Sequence, residues 1–201
     1  LLITEGTMLK SEDKCIHERE VSKRMASVMQ AFKYVFVLAS ATDIERLATI
    51  KEATKKADKP LCIWSLFMKR TMEFFTERES KLSRGLFSFD PLFYGDRLFG
   101  KLKRRGFAMI VGTSQMDRVK ELLCKLPQEE ILLIYSSWDG YYKIPEQVRA
   151  NSTYKEFRDM FHNVMDIHTS GHADKATIKK VIETVNPKEV ICIHKEADAE
   201  L

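Results

Sequence analysis

Three apolar runs restrict the fold more than any other feature: Tyr34 to Ser40, Phe107 to Val111 and Ile131 to Tyr135. They are rich in β-branched and aromatic residues, and nearly every position is apolar, without the polar alternation of a half-exposed strand. Such a run must be covered on both faces, which is the condition of a strand inside a parallel sheet. Helical patterns separate the runs. Thr42 or Asp43 caps a helix that carries Ile44, Leu47, Ile50 and Ala53 to about Ala57. Pro60 then admits a further strand, Leu61 to Trp64, and a helix from about Gln115 to Leu126 joins the last two runs. This order predicts an α/β fold, a mostly parallel sheet sandwiched by helices. Leu1 to Thr4 reads as one more strand, and Ser11 to Phe32 as a helix with Val21, Met25, Val28, Met29 and Phe32 on one face.

Residues 66 to 106 interrupt the rhythm, as an insertion on the sheet's rim or an arm that packs elsewhere. Leu66 to Arg78 suits a helix, and Gly85 to Gly95 an aromatic-rich loop. The segment holds ten Lys or Arg against five acids, more than the whole chain's net charge of +4. Two readings fit. The aromatics stack bases while Lys101, Lys103, Arg104 and Arg105 touch phosphates. Alternatively, the aromatics pack inward or against a second subunit as a homodimer. The second is favoured, because apolar residues this dense are rarely left exposed. Trp138 divides similarly between stacking a base and packing in the core, with the core favoured. Gly112-Thr113-Ser114 is a short match to a phosphate-cradling turn.

At 201 residues and 44% hydrophobic, the chain can bury a substantial core. No apolar run approaches the roughly 18 residues that cross a bilayer, so no membrane partner is expected. Cys15, Cys62, Cys124 and Cys192 form no CxxC pair, and Cys62 and Cys192 fall in expected strands. This usage suits a reducing cytoplasm, without disulfides or a zinc finger. A nucleotide-binding Rossmann reading lacks G-x-G-x-x-G after the first strand.

The chemistry concentrates in Asp166-Ile167-His168-Thr169-Ser170-Gly171-His172-Ala173. An apolar run ends near Ile167 and a helical pattern opens at Asp174, so the turn can direct backbone N–H groups at an anion. Ser170 adds a hydroxyl and His172 a titratable ring. Val190 to Ile193 is a second strand that ends on His194. Two strands joined by one helix should be neighbours in a βαβ unit, with both rings on one edge of one sheet.

Thr169-Ser170-Gly171-His172-Ala173 and Ile193-His194-Lys195-Glu196 resemble two signature motifs of the β-CASP family, RNA-processing nucleases of the metallo-β-lactamase fold and the ribonuclease J type. Leu2-Ile3-Thr4-Glu5-Gly6-Thr7 resembles a third, in which an acidic residue ends a strand, although many relatives carry Ser-Thr where Gly6-Thr7 stands here. Val35 to Ser40 with Asp43-Ile44-Glu45-Arg46, and Tyr135 to Tyr141, are also similar to family segments. The resemblance implies a metallo-β-lactamase-fold segment at 1–17, a β-CASP domain at 18–165 and a return to the first fold at 166–201. It implies catalytic roles for His172 and Glu5, substrate-phosphate contacts from Thr169, Ser170, Gly171 and Ala173, and a metal ligand in His194.

The cofactors implied are two divalent ions, zinc or manganese, in a complete protein. The family's His-x-His-x-Asp-His cluster is absent from this sequence. The chain is therefore expected to be a C-terminal part that holds no complete dinuclear site. The implied function is metal-dependent phosphodiester hydrolysis, exo- or endonucleolytic, on single-stranded RNA or DNA. The alternative is a catalytically inactive nucleic-acid-binding or assembly module of the same fold.

Overall fold

The computed structural model describes residues 1–10, 15–195 and 199. In chain order the elements open with β1 (Leu2–Glu5), α1 (Glu18–Ala31), β2 (Tyr34–Leu38), α2 (Ile44–Lys56) and β3 (Leu61–Ile63). Next come α3 (Leu66–Glu77), β4 (Leu92–Phe93), α4 (Asp96–Arg105), β5 (Phe107–Val111) and α5 (Met116–Leu123). The last are β6 (Ile131–Tyr135), α6 (Gly140–Lys143), α7 (Pro145–Ala150), α8 (Thr153–Asp159), β7 (Val164–Asp166), α9 (Lys175–Val185) and β8 (Val190–Ile193). The expected first helix starts at Glu18 rather than Ser11. Cys15 to His17 are not helical, and Ser11 to Lys14 lie outside the described residues.

The chain divides into two compact units, Glu18–His168 and Leu1–His17 with Thr169–Leu201. The larger unit is built on a six-stranded sheet in the order β4-β3-β5-β2-β6-β7, with every pairing parallel. Its central strands β2, β5 and β6 bury every residue. They are in register, Tyr34 opposite Phe107 on one side and Ile131 on the other. Phe36 sits edge-on to Phe107 at 5.6 Å and 5.5 Å from Phe161. Each large apolar side chain withdrawn here contributes roughly 1.5–3 kcal/mol. Gly106, at φ +83°, begins β5 where a Cβ would lie 2.5 Å from the Lys33 carbonyl oxygen, so another residue could not enter the sheet there without displacement.

Residues 66 to 106 form the rim of this sheet, with β4 as its edge strand. Their aromatics split: Phe89 and Tyr94 are buried, whereas Phe67, Phe74 and Phe93 are exposed. The smaller unit is a two-stranded parallel sheet, β1 with β8, in which Leu2 opposes Val190 and Glu5 opposes Ile193.

That pairing overturns the βαβ expectation. β7 belongs to the six-stranded sheet and β8 pairs with β1, so the two histidine-bearing segments do not leave neighbouring strands. The reason lies in Ile167 to Ala173, which is long enough to carry the chain out of the first sheet before α9 begins. Order along the chain then no longer dictates strand partners.

Candidate catalytic and phosphate site

Gly6 brings the smaller unit's site together. After β1, its N–H donates to the Ile193 carbonyl at 2.9 Å. A Cβ at this position would lie 2.8 Å from Lys195 Cβ, 2.9 Å from Leu9 Cδ1 and 3.4 Å from Cys192 Cβ. The departure from Ser at this position therefore has a local cause: the turn runs too close to β8 for a side chain. Its effect is to hold Glu5 and Thr7, on either side of Gly6, against the histidines.

His172 Nδ1 lies 2.5 Å from Glu5 Oε2, and the other carboxylate oxygen, Oε1, accepts the Ala173 N–H at 2.7 Å. Burial pushes the Glu5 carboxyl up, but the Ala173 N–H and the His172 ring outweigh it and hold the group below its ordinary 4.5. A carboxylate accepts, so Nδ1 carries the hydrogen and Nε2 is the nitrogen left to act. The His194 ring centre is 5.6 Å from that of His172, tilted by 59°.

His194 has φ +53°, the left-handed region that costs a non-glycine residue energy. Thr7 holds it there. The Thr7 hydroxyl donates to the His194 carbonyl at 3.1 Å and lies 3.2 Å from Nδ1. One hydroxyl hydrogen cannot serve both. Spent on the carbonyl, it leaves Nδ1–H as the donor to Oγ1, and the Nε2 lone pair faces outward. Thr7 was not among the expected site residues, and its nearness to His194 follows from the β1–β8 pairing. Glu196, which completes the second histidine motif, lies outside the described residues.

The turn from 169 to 174 uses much of its own polarity. Ser170 Oγ accepts the His172 N–H at 3.1 Å, and Thr169 Oγ1 accepts the Ile16 N–H at 3.1 Å. Asp174 caps α9 by accepting from the Thr177 N–H at 2.8 Å. The His172 N–H is therefore committed within the turn and the Ala173 N–H to Glu5. What the turn presents to an anion is the Ser170 hydroxyl hydrogen and the Gly171 backbone, whose Cβ position has no other atom within 4 Å. Cys15 donates its thiol to the His172 carbonyl at 3.1 Å. Burial, reinforced by the Asp174 charge, pushes that thiol up and keeps it a poor nucleophile.

The larger unit holds a charged cluster that sequence reasoning missed. Arg46, 1% exposed, donates to both Glu18 oxygens, at 2.6 Å from Nη2 to the nearer one, to Ser136 Oγ at 2.6 Å and to His168 Nδ1 at 3.1 Å. A guanidinium only donates, so His168 accepts through Nδ1 and carries its hydrogen on Nε2. Burial, and then the Arg46 charge, lower His168 below its ordinary 6.5. His168 is structural, and with Glu18 it marks the two ends of the larger unit. The apolar period of α2 did hold a signal, since Ile50 and Ala53 follow Arg46 at i+4 and i+7 and the inward-facing stripe carries the arginine with it.

The five nucleic-acid candidates do not share a surface. Trp138 is 44% exposed rather than packed in the core, in the loop after β6 at the carboxyl edge of the sheet. Lys103 donates to the Lys125 carbonyl ahead of β6, and Arg105 pairs with Asp58 ahead of β3. With Arg104 they crowd the amino edge, about 16 Å away along a five-residue strand. Lys101 is exposed on the same helix. The Gly112-Thr113-Ser114 turn is closed locally, its Gly112 N–H taken by the Gln115 side-chain oxygen at 2.9 Å.

No group of three or more His, Cys, Asp or Glu side chains converges to hold a metal ion among the described residues. The donors near His194 are otherwise engaged: Glu5 by His172 and Ala173, Cys15 by the His172 carbonyl. These residues do not fit a dinuclear centre. No described helix is long and apolar enough to cross a membrane.

The family described as the Zn-dependent metallo-hydrolase RNA specificity domain matches residues 162–200, from β7 through the turn and both histidines. A curated relative, ribonuclease J of Sinorhizobium meliloti, is 23% identical over 98% of this chain. The chain spans about a third of that relative's length, 36%.

Proposed function

We propose that this chain, a member of the ribonuclease J-like β-CASP proteins, is the β-CASP part of a larger hydrolase that cleaves phosphodiester bonds in single-stranded RNA. In this reading the larger unit is the β-CASP domain, and the smaller one belongs to the metallo-β-lactamase fold that it interrupts. The carrying observation is the convergence of Glu5, His172 and His194 from three separate segments of the chain.

The chemistry assigned to these residues is proton transfer and positioning. Glu5 fixes the His172 tautomer, so the mobile proton resides on Nε2, from which it passes to the oxygen leaving phosphorus. The carboxylate also stabilises the imidazolium before transfer. Ser170 and the open backbone at Gly171 receive a phosphate oxygen, with Thr169 and Ala173 bracing the turn. His194 offers one outward donor to a metal whose remaining ligands lie outside this chain. Zinc in the complete enzyme would supply a bound hydroxide.

The test is His172→Ala in the full-length enzyme. Turnover on single-stranded RNA should fall roughly 10²–10⁴-fold, with bound metal unchanged. Unaltered turnover would remove His172 from the mechanism. A full-length protein that binds RNA without cleaving it would instead make this chain a binding module.

A further inference from the structure

A crevice in the larger unit lies apart from the residues used above. Strands β3 and β5 are parallel neighbours, and the connections that follow them diverge. β3 leads outward to β4, whereas β5 leads past β2 to β6. Where crossovers from adjacent strands part in this way, the loops at the carboxyl ends open a gap. Open α/β sheets characteristically bind ligands there. The gap is present, a cavity of about 440 Å³ lined on one side by Trp64 and Ser65 and on the other by Ser114, Gln115, Asp117 and Arg118. That volume falls within the roughly 300–1,000 Å³ of small-molecule sites.

The lining selects a chemistry. Trp64 stands edge-on to the buried Tyr94, with ring centres 4.7 Å apart, so a core residue fixes the indole from behind. The Arg118 guanidinium lies 5.9 Å from the centre of the Trp64 ring, too far for a close stack but within the span of one flexible side chain's adjustment. Asp117 pairs with Lys120 at 3.9 Å, so what the lining offers a ligand is the flat Trp64 indole with the Arg118 guanidinium beside it, a pair that suits a planar π-system. Gln115 has committed its side-chain oxygen to the Gly112 N–H, which leaves its amide hydrogens as donors.

We propose that this crevice is a nucleobase subsite, in which a base of single-stranded RNA stacks on Trp64 beneath Arg118. The proposal rests on the reading of the chain as RNA-binding. It adds a second contact on the edge that also carries Trp138, roughly 14 Å away across three strand spacings. Every base offers a π-face, so the subsite tolerates purine and pyrimidine alike.

Trp64 and Trp138 are the two tryptophans of the chain, so Trp138→Phe leaves Trp64 as the sole indole reporter. Titrating that full-length chain with adenosine and with uridine should quench its emission saturably. Arg118→Met should weaken the apparent affinity. In the wild-type chain, Trp64→Leu should weaken binding of a short single-stranded RNA about 5- to 150-fold. Trp64→Phe, which keeps an aromatic ring against Tyr94, should restore most of it and separates lost stacking from lost folding. Trp64 emission that neither nucleoside moves overturns the proposal, as does RNA binding indifferent to Trp64→Leu. If nucleosides quench Trp64 but RNA is not bound, the subsite stands and the RNA reading falls.

Discussion

The two sheets of this molecule obey the same pairing rules and meet opposite fates. β2, β5 and β6 are parallel and buried on both faces. β1 and β8 are also parallel, yet Ile3, Ile191 and Ile193 stand 59%, 48% and 54% exposed on one face. Thr4 and Cys192, on the other face, are partly buried. Parallel strands are ordinarily covered on both sides. The larger sheet carries its own helical cover within the described residues, whereas the smaller has an apolar face that nothing described conceals. This fits the proposal that the turn at 169–174 belongs to a fold whose remaining layers come from elsewhere, as does the 36% share of the ribonuclease J relative that this chain spans.

The largest effect should come from opening the closed sheet. Phe36→Ala removes a fully buried ring between Phe107 and Phe161 and should cost about 3–5 kcal/mol in urea unfolding of this chain. A loss below about 1 kcal/mol would mean that the central strands are not the core they resemble. Arg46→Ala comes next. It leaves Glu18 without its main partner, and because Glu18 keeps some solvent contact the loss should be about 2–4 kcal/mol.

The same cluster should make the larger unit acid-sensitive. His168 is depressed in the fold, so the unfolded chain binds its proton first, and stability declines as pH falls below the ordinary 6.5. Burial raises Glu18, but its hydrogen bonds to Arg46 and Thr49 more than offset this, so its folded value also lies low. Its contribution is present above the ordinary 4.5 and is lost as pH falls through the folded value. Thermal midpoints should therefore fall in two steps, one as pH drops below 6.5 and one as it drops below 4.5, and Arg46→Met should flatten the lower one. A flat profile would refute the cluster's role. The smallest effect belongs to the bare face: Ile191→Ser should change this chain's stability by no more than about 0.5 kcal/mol. A loss as large as that of Phe36→Ala would show that the face is covered after all.

Much of the larger unit could be read directly from the residues, because continuous apolar runs and capped helical periods are local signals. Asp43, for example, acts where cap chemistry places it, accepting the Arg46 N–H at 3.1 Å. Partnership was less legible. Nothing local to Val190–Ile193 indicates that it pairs with a strand almost 190 positions earlier rather than with β7. Trp138 and the 101–105 run were both nucleic-acid candidates, but a strand's length separates them. Arg46 shares the inward stripe of α2 with Ile50 and Ala53, but nothing local named Glu18, Ser136 and His168 as its partners.

What this sequence determined by itself was its inventory of strands and helices, together with the motifs that single out Glu5, His172 and His194. Each depends on neighbours within a few residues, where backbone sterics and hydrophobic spacing act. Only the tertiary structure decided that Gly6 draws β1 against β8, that Thr7 holds His194 in a left-handed conformation, and that Trp64 and Arg118 flank a crevice. Those contacts join residues far apart in the chain, and their geometry exists only once distant strands have chosen their partners.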